Sequence, residues 1–452
     1  MSKNEEVTTV VAQPPEMPKF EINGITVVSP MWGDRSKTDR MVFSVIHQFI
    51  SHKNPINIHL VLVDDYIEGR GKNDSSPYDY YVSDEFKKLY DTKHIKITLI
   101  KNNAHKYQGE SREIGFLAGD YPWFTLIDCD DMLAPNACDR YLGTINEFYS
   151  KDENGNKKNG IQEDLACVLG LLYSFDTYGY ENCIVGESIW VQGRCYNRDF
   201  IKKHGIHFLT GLSSRQGEDY PFIRKFDYAV NHDNDYITIK IPYKTAVDHD
   251  CQATAFWFPN ENSLSRQDPH YGQHLSGWTM ASSNSILDFF DDYNKKHGFV
   301  DQEDEFMKHE YLNMNVYAFY NLLDFIKEVA STDYDPLKDD WYTLRDNVAK
   351  LRKRLKDKYW DEIVYSDIED MLYQVKHYSD CRFCECWFGT FYDYMNKGTD
   401  ILKMSYKQMR KYCKELEFDG AGHEVHSPQV IAWKKRHPQP EVKEEEKSNE
   451  SL

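Results

Sequence analysis

The chain has 452 residues, of which 40% are hydrophobic and 28% charged, and its formal net charge is −19. With 24 glycines and 16 prolines it is too poor in both for a collagen-like or low-complexity protein. The negative charge argues against the broad positive surface of a non-specific nucleic-acid binder. No apolar run reaches the roughly 18–20 residues of a membrane span, and the first residues lack the apolar core of a secretion signal. We therefore expect a cytoplasmic protein whose ten cysteines are reduced.

The composition along the chain predicts two domains between two polar tails. Residues 1–20 contain three prolines and no periodic apolar pattern, and residues 436–452 are acidic and poor in apolar side chains. An α/β domain is predicted over residues 21–270, and a helical domain over residues 271–435.

The first half alternates apolar, β-branched runs with amphipathic segments, which is typical of βαβ units around a mostly parallel sheet. The predicted strands are Ile25–Ser29, Ile58–Val63, Ile95–Ile100 and Trp123–Asp128. Helices are predicted at Thr38–Ile50 and Gln108–Gly119, and short strands continue to about Pro259. Because the strands are apolar throughout, we expect helices to cover both faces of the sheet. Later helices are predicted at Ser285–Lys296, Asp304–Ala330, Trp341–Tyr359 and Ile368–Tyr378.

Carboxylates follow two of the predicted strands. The second strand ends in Asp64-Asp65, and the fourth in Asp128-Cys129-Asp130-Asp131. Ligands of open α/β sheets bind outside the carboxyl ends of the strands, and carboxylates hold Mg²⁺ or Mn²⁺ together with substrate phosphates. The alternative is that Asp simply favours turns and helix caps. Clustered like charges repel one another unless something binds them. This favours a metal ion at the carboxylates of Asp128, Asp130 and Asp131.

Several segments, taken in order, resemble family-2 glycosyltransferases of the GT-A fold. ITVVSPMWGD, SVIHQF, VLVDD and GESREIGFLAGDYPWFTLIDCDD resemble the nucleotide-sugar-binding half of that family. GRCYNRDFIKKHGIHF and RQGEDYPF resemble its acceptor half, with a Glu-Asp pair, and WFPNENSLSR resembles the segment that follows. The resemblance covers roughly Gly24 to Arg266 and includes phage-type members, which would act in the host cytoplasm. It implies a GT-A (Rossmann-like) α/β domain and metal-dependent, inverting transfer from a nucleotide sugar, a UDP-sugar in the first instance.

The resemblance also implies roles for individual residues. Asp219, beside Glu218, matches the general base, which would accept the proton of the acceptor hydroxyl. A metal ion, Mn²⁺ or Mg²⁺, would neutralise the leaving diphosphate; its ligands would be Asp130, Asp131 and His249, with Asp131 the most direct. The donor would be bound by Pro30, Asp64, Asp65, Arg112, Asp128, Asp130, Ser263, Ser265 and Arg266.

Each role has a plainer alternative. Glu218 and Asp219 suit the N-terminus of any helix, His249 suits a solvated loop, and Ser263 to Arg266 suit an ordinary polar loop. Asp65 is followed by Tyr-Ile-Glu-Gly where the family has Gly-Ser and another Asp, so the donor's base stays open. A sugar-phosphate nucleotidyltransferase would need a glycine-rich phosphate loop after the first strand, which Ser29 to Gly33 do not provide. A non-catalytic binding protein on the same scaffold is the other alternative.

The C-terminal half carries two further patterns. His377, Cys381, Cys384 and Cys386 are enough ligands for zinc, with Cys413 as an outlying partner, but the spacing equally suits buried thiols. Basic residues crowd Lys350–Lys358 and Lys403–Lys414. Such segments are either solvated helix faces or a surface for an anionic acceptor, for example hydroxymethylated phage DNA or a charged glycan. A neutral glycan or a protein hydroxyl stays open as the acceptor.

Overall fold

The computed structural model describes residues 21–33, 35–51, 54–65, 75–174, 184–187, 191–210, 218–241, 253–258, 271–299, 306–307, 310, 314, 337–355 and 401–415. The chain divides into two compact units. The first comprises residues 1–105, 111–203 and 233–259, and the second comprises residues 106–110, 204–232 and 260–452.

Strands and helices alternate through the first part of the chain. The strands are β1 Gly24–Met31, β2 Asn57–Asp64, β3 Ile95–Lys101, β4 Trp123–Leu126, β5 Met132–Leu133, β6 Asp164–Leu169, β7 Leu171–Ser174, β8 Ile184–Glu187, β9 Arg194–Asn197, β10 Tyr236–Lys240 and β11 Ala253–Trp257. The helices are α1 Arg35–Ile46, α2 Tyr107–Ala118, α3 Ala137–Tyr149, α4 Arg198–His204, α5 Asp219–His232, α6 Tyr271–His297, α7 Leu337–Leu355 and α8 Tyr406–Glu415.

Seven strands of the first unit form one sheet in the order β10-β6-β9-β4-β1-β2-β3. β1 runs parallel to β2 and β4, β2 runs parallel to β3, and β6 runs parallel to β10. β9 runs antiparallel to both of its neighbours. The predicted α/β class with a mostly parallel, mixed sheet is therefore confirmed, and the four predicted strands are β1 to β4.

The burial of the strands agrees with their order in the sheet of the first unit. Every residue of β1 and β4 is buried, as expected for central strands covered on both faces. β3 lies at the edge, and of its residues only Ile95 is fully buried. Helix α2 packs closely on the sheet at Gly115, where a Cβ atom would lie 2.3 Å from Val28 Cγ1.

A second sheet, in the order β5-β11-β7-β8, was not predicted from the sequence. β5 has only two residues and pairs antiparallel with β11, so that Leu133 faces Ala255. The Tyr141 hydroxyl donates to Thr254 Oγ1 over 2.8 Å, and Thr254 Oγ1 donates to the Leu171 carbonyl over 3.1 Å. These bonds join α3, β11 and β7.

The described residues of the second unit form helices and connecting loops. The Tyr228 ring of α5 stacks on the Phe290 ring of α6, with centroids 3.9 Å apart. Trp341 of α7 is fully buried, and its Nε1 donates to the Met404 carbonyl over 3.1 Å. Most of the predicted helices Asp304–Ala330 and Ile368–Tyr378 lies outside the described residues. No helix in the described ranges is both long enough and apolar enough to cross a bilayer.

Candidate active site

The first residues beyond β1, β2 and β3 lie at one edge of the sheet. Met31 and Asp64 are register partners, as are Asp64 and Lys101, so the three strands end together. The loops begin with bonds between neighbours: Asp65 N donates to the Met31 carbonyl, and Asn102 N to the Asp64 carbonyl, both over 3.0 Å. Residues just beyond these strands therefore share the carboxyl edge, where α/β sheets bind ligands.

The acidic loop, residues 128–131, follows β4 at the same edge. Arg112 Nη2 on α2 donates to Asp128 Oδ1 over 2.6 Å. The Gln192 amide donates to Asp128 Oδ2 over 2.6 Å. Asp128 thus receives a donor on each carboxylate oxygen, and Arg112 supplies a positive charge with its side chain only 3% exposed. These two bonds fix the first carboxylate of the loop.

Asp131 faces the protein interior. Its Oδ1 accepts the Phe258 backbone N–H over 3.0 Å, and its Oδ2 accepts the Gln192 amide over 2.8 Å. The residue is only 1% exposed. Burial raises the pKa of Asp131 well above its usual range, and the neighbouring carboxylates of Asp128 and Asp130 raise it further.

Asp130 is the part-exposed carboxylate at the tip of the acidic loop. Its backbone carbonyl accepts a bond from Arg40 of α1. The same guanidinium lies over the Phe258 ring, 4.0 Å from its centroid. Arg40 therefore joins the acidic loop to the end of β11, while the Asp130 side chain remains reachable from solvent.

The donor set suits a divalent cation that is shared with a phosphate ligand. In the described part of the chain, no group of three or more His, Cys, Asp and Glu side chains is arranged to hold a metal ion by itself. Mg²⁺ is commonly held by one or two carboxylates, with waters and substrate phosphates completing its shell. Among the carboxylates of the acidic loop, the part-exposed Asp130 fits that requirement.

Asp64 has a structural contact that its position in the sequence does not indicate. It is fully buried, and the Ser76 hydroxyl donates to its Oδ2. Ser76 also caps the 3₁₀ helix Pro77–Val82 through a capping box with Asp79. Lys101 pairs with Asp79 over 2.7 Å. The Asp64 carboxylate is thus held by Ser76, at the start of this 3₁₀ helix.

Asp65 belongs to a different group, the Trp32 cluster, which we define as Trp32, Asp65, Asn102 and His105. His105 Nδ1 lies 2.7 Å from Asp65 Oδ2, and Asn102 Nδ2 donates to Asp65 Oδ1 over 3.2 Å. The Trp32 ring lies against the imidazole of His105, with centroids 4.4 Å apart. Trp32 is 37% exposed, so the cluster offers an aromatic face beside a fixed carboxylate.

The predicted base lies in the second unit. Asp219 opens helix α5, and its Oδ1 accepts the Tyr220 backbone N–H over 2.9 Å. Asp219 is part-exposed, whereas Glu218 is buried. The first turn of α5 is anchored by the buried Glu310, which accepts the Tyr220 hydroxyl over 3.0 Å and pairs with Arg224. These contacts hold Tyr220 and Arg224, which follow Asp219 on α5.

Other predicted ligands lie outside the described residues. They are His249, Ser263, Ser265, Arg266, His377, Cys381, Cys384 and Cys386. In the basic segment on α7, Lys350 Nζ pairs with Asp288 over 3.1 Å, and Arg354 pairs with Asp288 and Asp291 of α6. Two of the predicted basic side chains therefore contact acidic ones.

No protein-family model matches the chain, and no curated protein sequence matches it. The TarS fragment 1–349 from S. aureus, solved in complex with UDP-GlcNAc, is similar at 11% identity with a TM-score of 0.46, over 74% of this chain and 81% of that one. The mannosyltransferase PcManGT from Pyrobaculum calidifontis, solved with GDP-Man and Mn²⁺, is similar at 11% identity with a TM-score of 0.37, over 77% and 92% respectively. Likeness this distant leaves function to be argued from the site itself.

The sequence did not indicate Gln192, Trp32 or His105. Gln192 directly precedes the segment GRCYNRDFIKKHGIHF, but no spacing relates it to the acidic loop. Trp32 and His105 follow β1 and β3, and the rule that ligands bind at the carboxyl ends of strands could have indicated both.

Proposed function

We propose that the chain is a metal-dependent, inverting glycosyltransferase with a GT-A domain of family-2 type. The observation that carries the proposal is the acidic loop at the carboxyl edge of a mostly parallel sheet, with Asp128 fixed by Arg112 and Gln192 and Asp130 part-exposed. The Trp32 cluster at the same edge supports a nucleotide as the donor's leaving group.

In this proposal the donor's diphosphate binds beside the acidic loop. Asp130 holds Mn²⁺ or Mg²⁺, and Asp128 faces the ribose. Because Asp131 is only 1% exposed, whereas the Asp128 side chain is 26% exposed, we assign Asp131 to positioning the loop rather than to the direct metal contact that the resemblance implied. A bound metal would stabilise the charge that develops on the leaving diphosphate.

The remaining donor contacts follow the sequence prediction, except that Asp64, which is fully buried, does not contact the donor directly. Pro30 and Asp65 lie at the nucleoside end, and Asp64 supports them from the interior. Ser263, Ser265 and Arg266 bind phosphate, because Arg pairs with phosphate in a bidentate manner. His249 is a further metal ligand. Phe258, which precedes the Ser263–Arg266 segment in the chain, already contacts the acidic loop through Asp131.

Asp219 acts as the general base toward the acceptor hydroxyl, with Glu218 beside it. One carboxylate suffices, because inversion needs a base and a leaving-group activator but no covalent intermediate. The acceptor is a glycan, a protein hydroxyl or modified DNA. The ion pairs of Lys350 and Arg354 with α6 reduce the positive field that a nucleic-acid acceptor would need.

The test is release of free nucleotide from a panel of UDP-, GDP-, CMP- and dTDP-sugars with Mn²⁺ or Mg²⁺. We expect one donor to be hydrolysed slowly without an acceptor, and the rate to fall at least about 100-fold in Asp130→Asn, as when a transition-state charge partner is removed. Asp152→Asn, in an exposed turn, is the matched control and should keep the full rate. Equal rates in Asp130→Asn and the native chain would reject the metal role.

A further inference from the structure

We propose that Arg40 binds the diphosphate of the donor, as a cation that acts beside the metal ion at the acidic loop. This inference rests on the proposed nucleotide-sugar function and adds to it a phosphate-binding residue from α1, which the predicted ligands do not include.

The first step is the position of Arg40. It is an exposed residue of α1, and its Nη2 donates to the main-chain carbonyl of Asp130. Asp130 is the residue that we propose as the metal ligand, so a diphosphate bound to that metal would come within reach of the guanidinium. Arg40 and the acidic loop both belong to the first unit, so this proximity depends on no residue of the second unit.

The second step is the orientation of the guanidinium. Its Cζ lies over the Phe258 ring, 4.0 Å from the centroid. Phe258 is in turn held against the acidic loop, since its backbone N–H donates to Asp131 Oδ1 over 3.0 Å. The guanidinium is thus held both by a ring and by a carbonyl. Because its five N–H donors lie in one plane, a guanidinium that is held in advance loses less conformational freedom when it binds a phosphate.

The third step is the charge of Arg40. Both contacts just described are with neutral groups, an aromatic ring and a main-chain carbonyl, so neither cancels the positive charge. Arg112, by contrast, forms an ion pair with Asp128 over 2.6 Å. Arg40 therefore presents a positive charge at an exposed position beside the acidic loop. Phosphate oxygens pair with such a guanidinium through charge-assisted, often bidentate hydrogen bonds.

The alternative is that Arg40 only holds the acidic loop in place. The two roles differ in their dependence on salt. Salt ions screen the attraction between an exposed cation and a bound anion, so removing a cation that meets the diphosphate makes nucleotide affinity less sensitive to salt. Removing a residue that only positions the loop would change the affinity by the same factor at every salt concentration.

The test measures the binding of UDP, GDP and dTDP to the full chain by calorimetry with Mn²⁺, at NaCl concentrations from about 0.05 to 0.5 M. Arg40→Gln removes the charge and keeps an amide that can donate to a carbonyl. The affinity for the nucleotide that binds best should fall at least about tenfold at low salt, and its dependence on salt should become flatter. The melting temperature should stay near that of the native chain.

A second variant and a control separate the charge from the fold. Arg40→Lys keeps the charge but not the planar guanidinium, so it should keep the native salt dependence, with an affinity between those of the native chain and Arg40→Gln. Arg35→Gln is the matched control, because Arg35 lies on the same helix but already pairs with Asp39 over 3.4 Å. It should change the affinity by less than about twofold.

The outcomes are distinguishable. A native affinity in Arg40→Gln, or a lower affinity whose salt dependence is unchanged, would overturn the phosphate contact of Arg40 and leave the proposed function standing. Failure of all three nucleotides to bind the native chain would remove the proposed function and this inference with it.

Discussion

Gln192 donates one amide nitrogen to two carboxylates, reaching Asp131 Oδ2 over 2.8 Å and Asp128 Oδ2 over 2.6 Å. Both ends of the acidic loop are thus held by a single side chain that is 4% exposed. Since the carboxylates of this loop raise one another's energy when they are charged, the amide and Arg112 offset part of the repulsion. The acidic loop is consequently held in place by side chains of the protein itself.

Removing this amide should destabilise the first unit. In Gln192→Ala, the buried Asp131 loses one of its two donors, and we expect the free energy of unfolding in urea to fall by about 1–3 kcal/mol. Gln162→Ala changes the same residue type in an exposed loop. It should change the free energy of unfolding by less than about 0.5 kcal/mol. A Gln192→Ala protein as stable as this control would show that the bridge does not stabilise the loop.

Replacing Arg112 with Lys should impair the reaction more than the fold. Lys keeps the charge but not the planar guanidinium that meets Asp128 Oδ1 over 2.6 Å. We expect kcat/KM for nucleotide release to fall roughly tenfold, with little change in melting temperature. Arg345→Lys, on α7, serves as the control; an unchanged kcat/KM in Arg112→Lys would contradict the positioning of Asp128.

Gly115→Ala should be destabilising even though Ala is the better helix former. The new methyl would lie 2.3 Å from Val28 Cγ1 and 3.2 Å from Val63 Cγ2. Overpacking of this kind costs about 1–3 kcal/mol, against about 1 kcal/mol gained in helix propensity. Urea unfolding measures the balance, and Leu117→Ala, at a site 60% exposed on the same helix, is the comparison. A stabilised Gly115→Ala would mean that α2 does not pack on β1 as described.

Because of the buried His59, we expect the protein to lose stability in mild acid. Burial lowers the pKa of His59, and although Asp120 acts to raise it, the net shift is downward. The unfolded chain therefore takes up this proton at a higher pH than the folded chain does. The contribution of His59 to the free energy of unfolding is complete above about pH 6.5. It declines as the pH falls below that value, by at most about 1.4 kcal/mol per pH unit.

The measurement is the pH dependence of the unfolding free energy between pH 8 and pH 5. His59→Gln should flatten the acid limb, whereas His47→Gln, at an exposed position, should leave its slope as in the native protein. Parallel curves for the native chain and His59→Gln would refute the assignment.

The sheet was predictable because its central strands are long and β-branched. β1 and β2 are buried on both faces, so their sequences are mostly apolar. Helix α2 was predicted within one residue at each end, Gln108–Gly119 against Tyr107–Ala118. The two-residue strand β5 carries no periodicity, so the second sheet left no comparable signal.

Composition showed that the acidic loop is dense in carboxylates. It could not show that Asp131 is buried against Gln192 and Phe258 while Asp130 is part-exposed, because that depends on contacts distant in sequence.

The central claim is that a nucleoside diphosphate and a divalent metal bind together at the acidic loop. Calorimetric titration of the full chain with UDP and GDP, with and without Mn²⁺, measures this coupling directly. We predict that Mn²⁺ tightens the binding of one of them at least about tenfold, in the range usual for coupled sites, and that Asp130→Asn abolishes the effect while Asp152→Asn keeps it. Nucleotide affinities that are the same with and without Mn²⁺, or a coupling that persists in Asp130→Asn, would contradict the account.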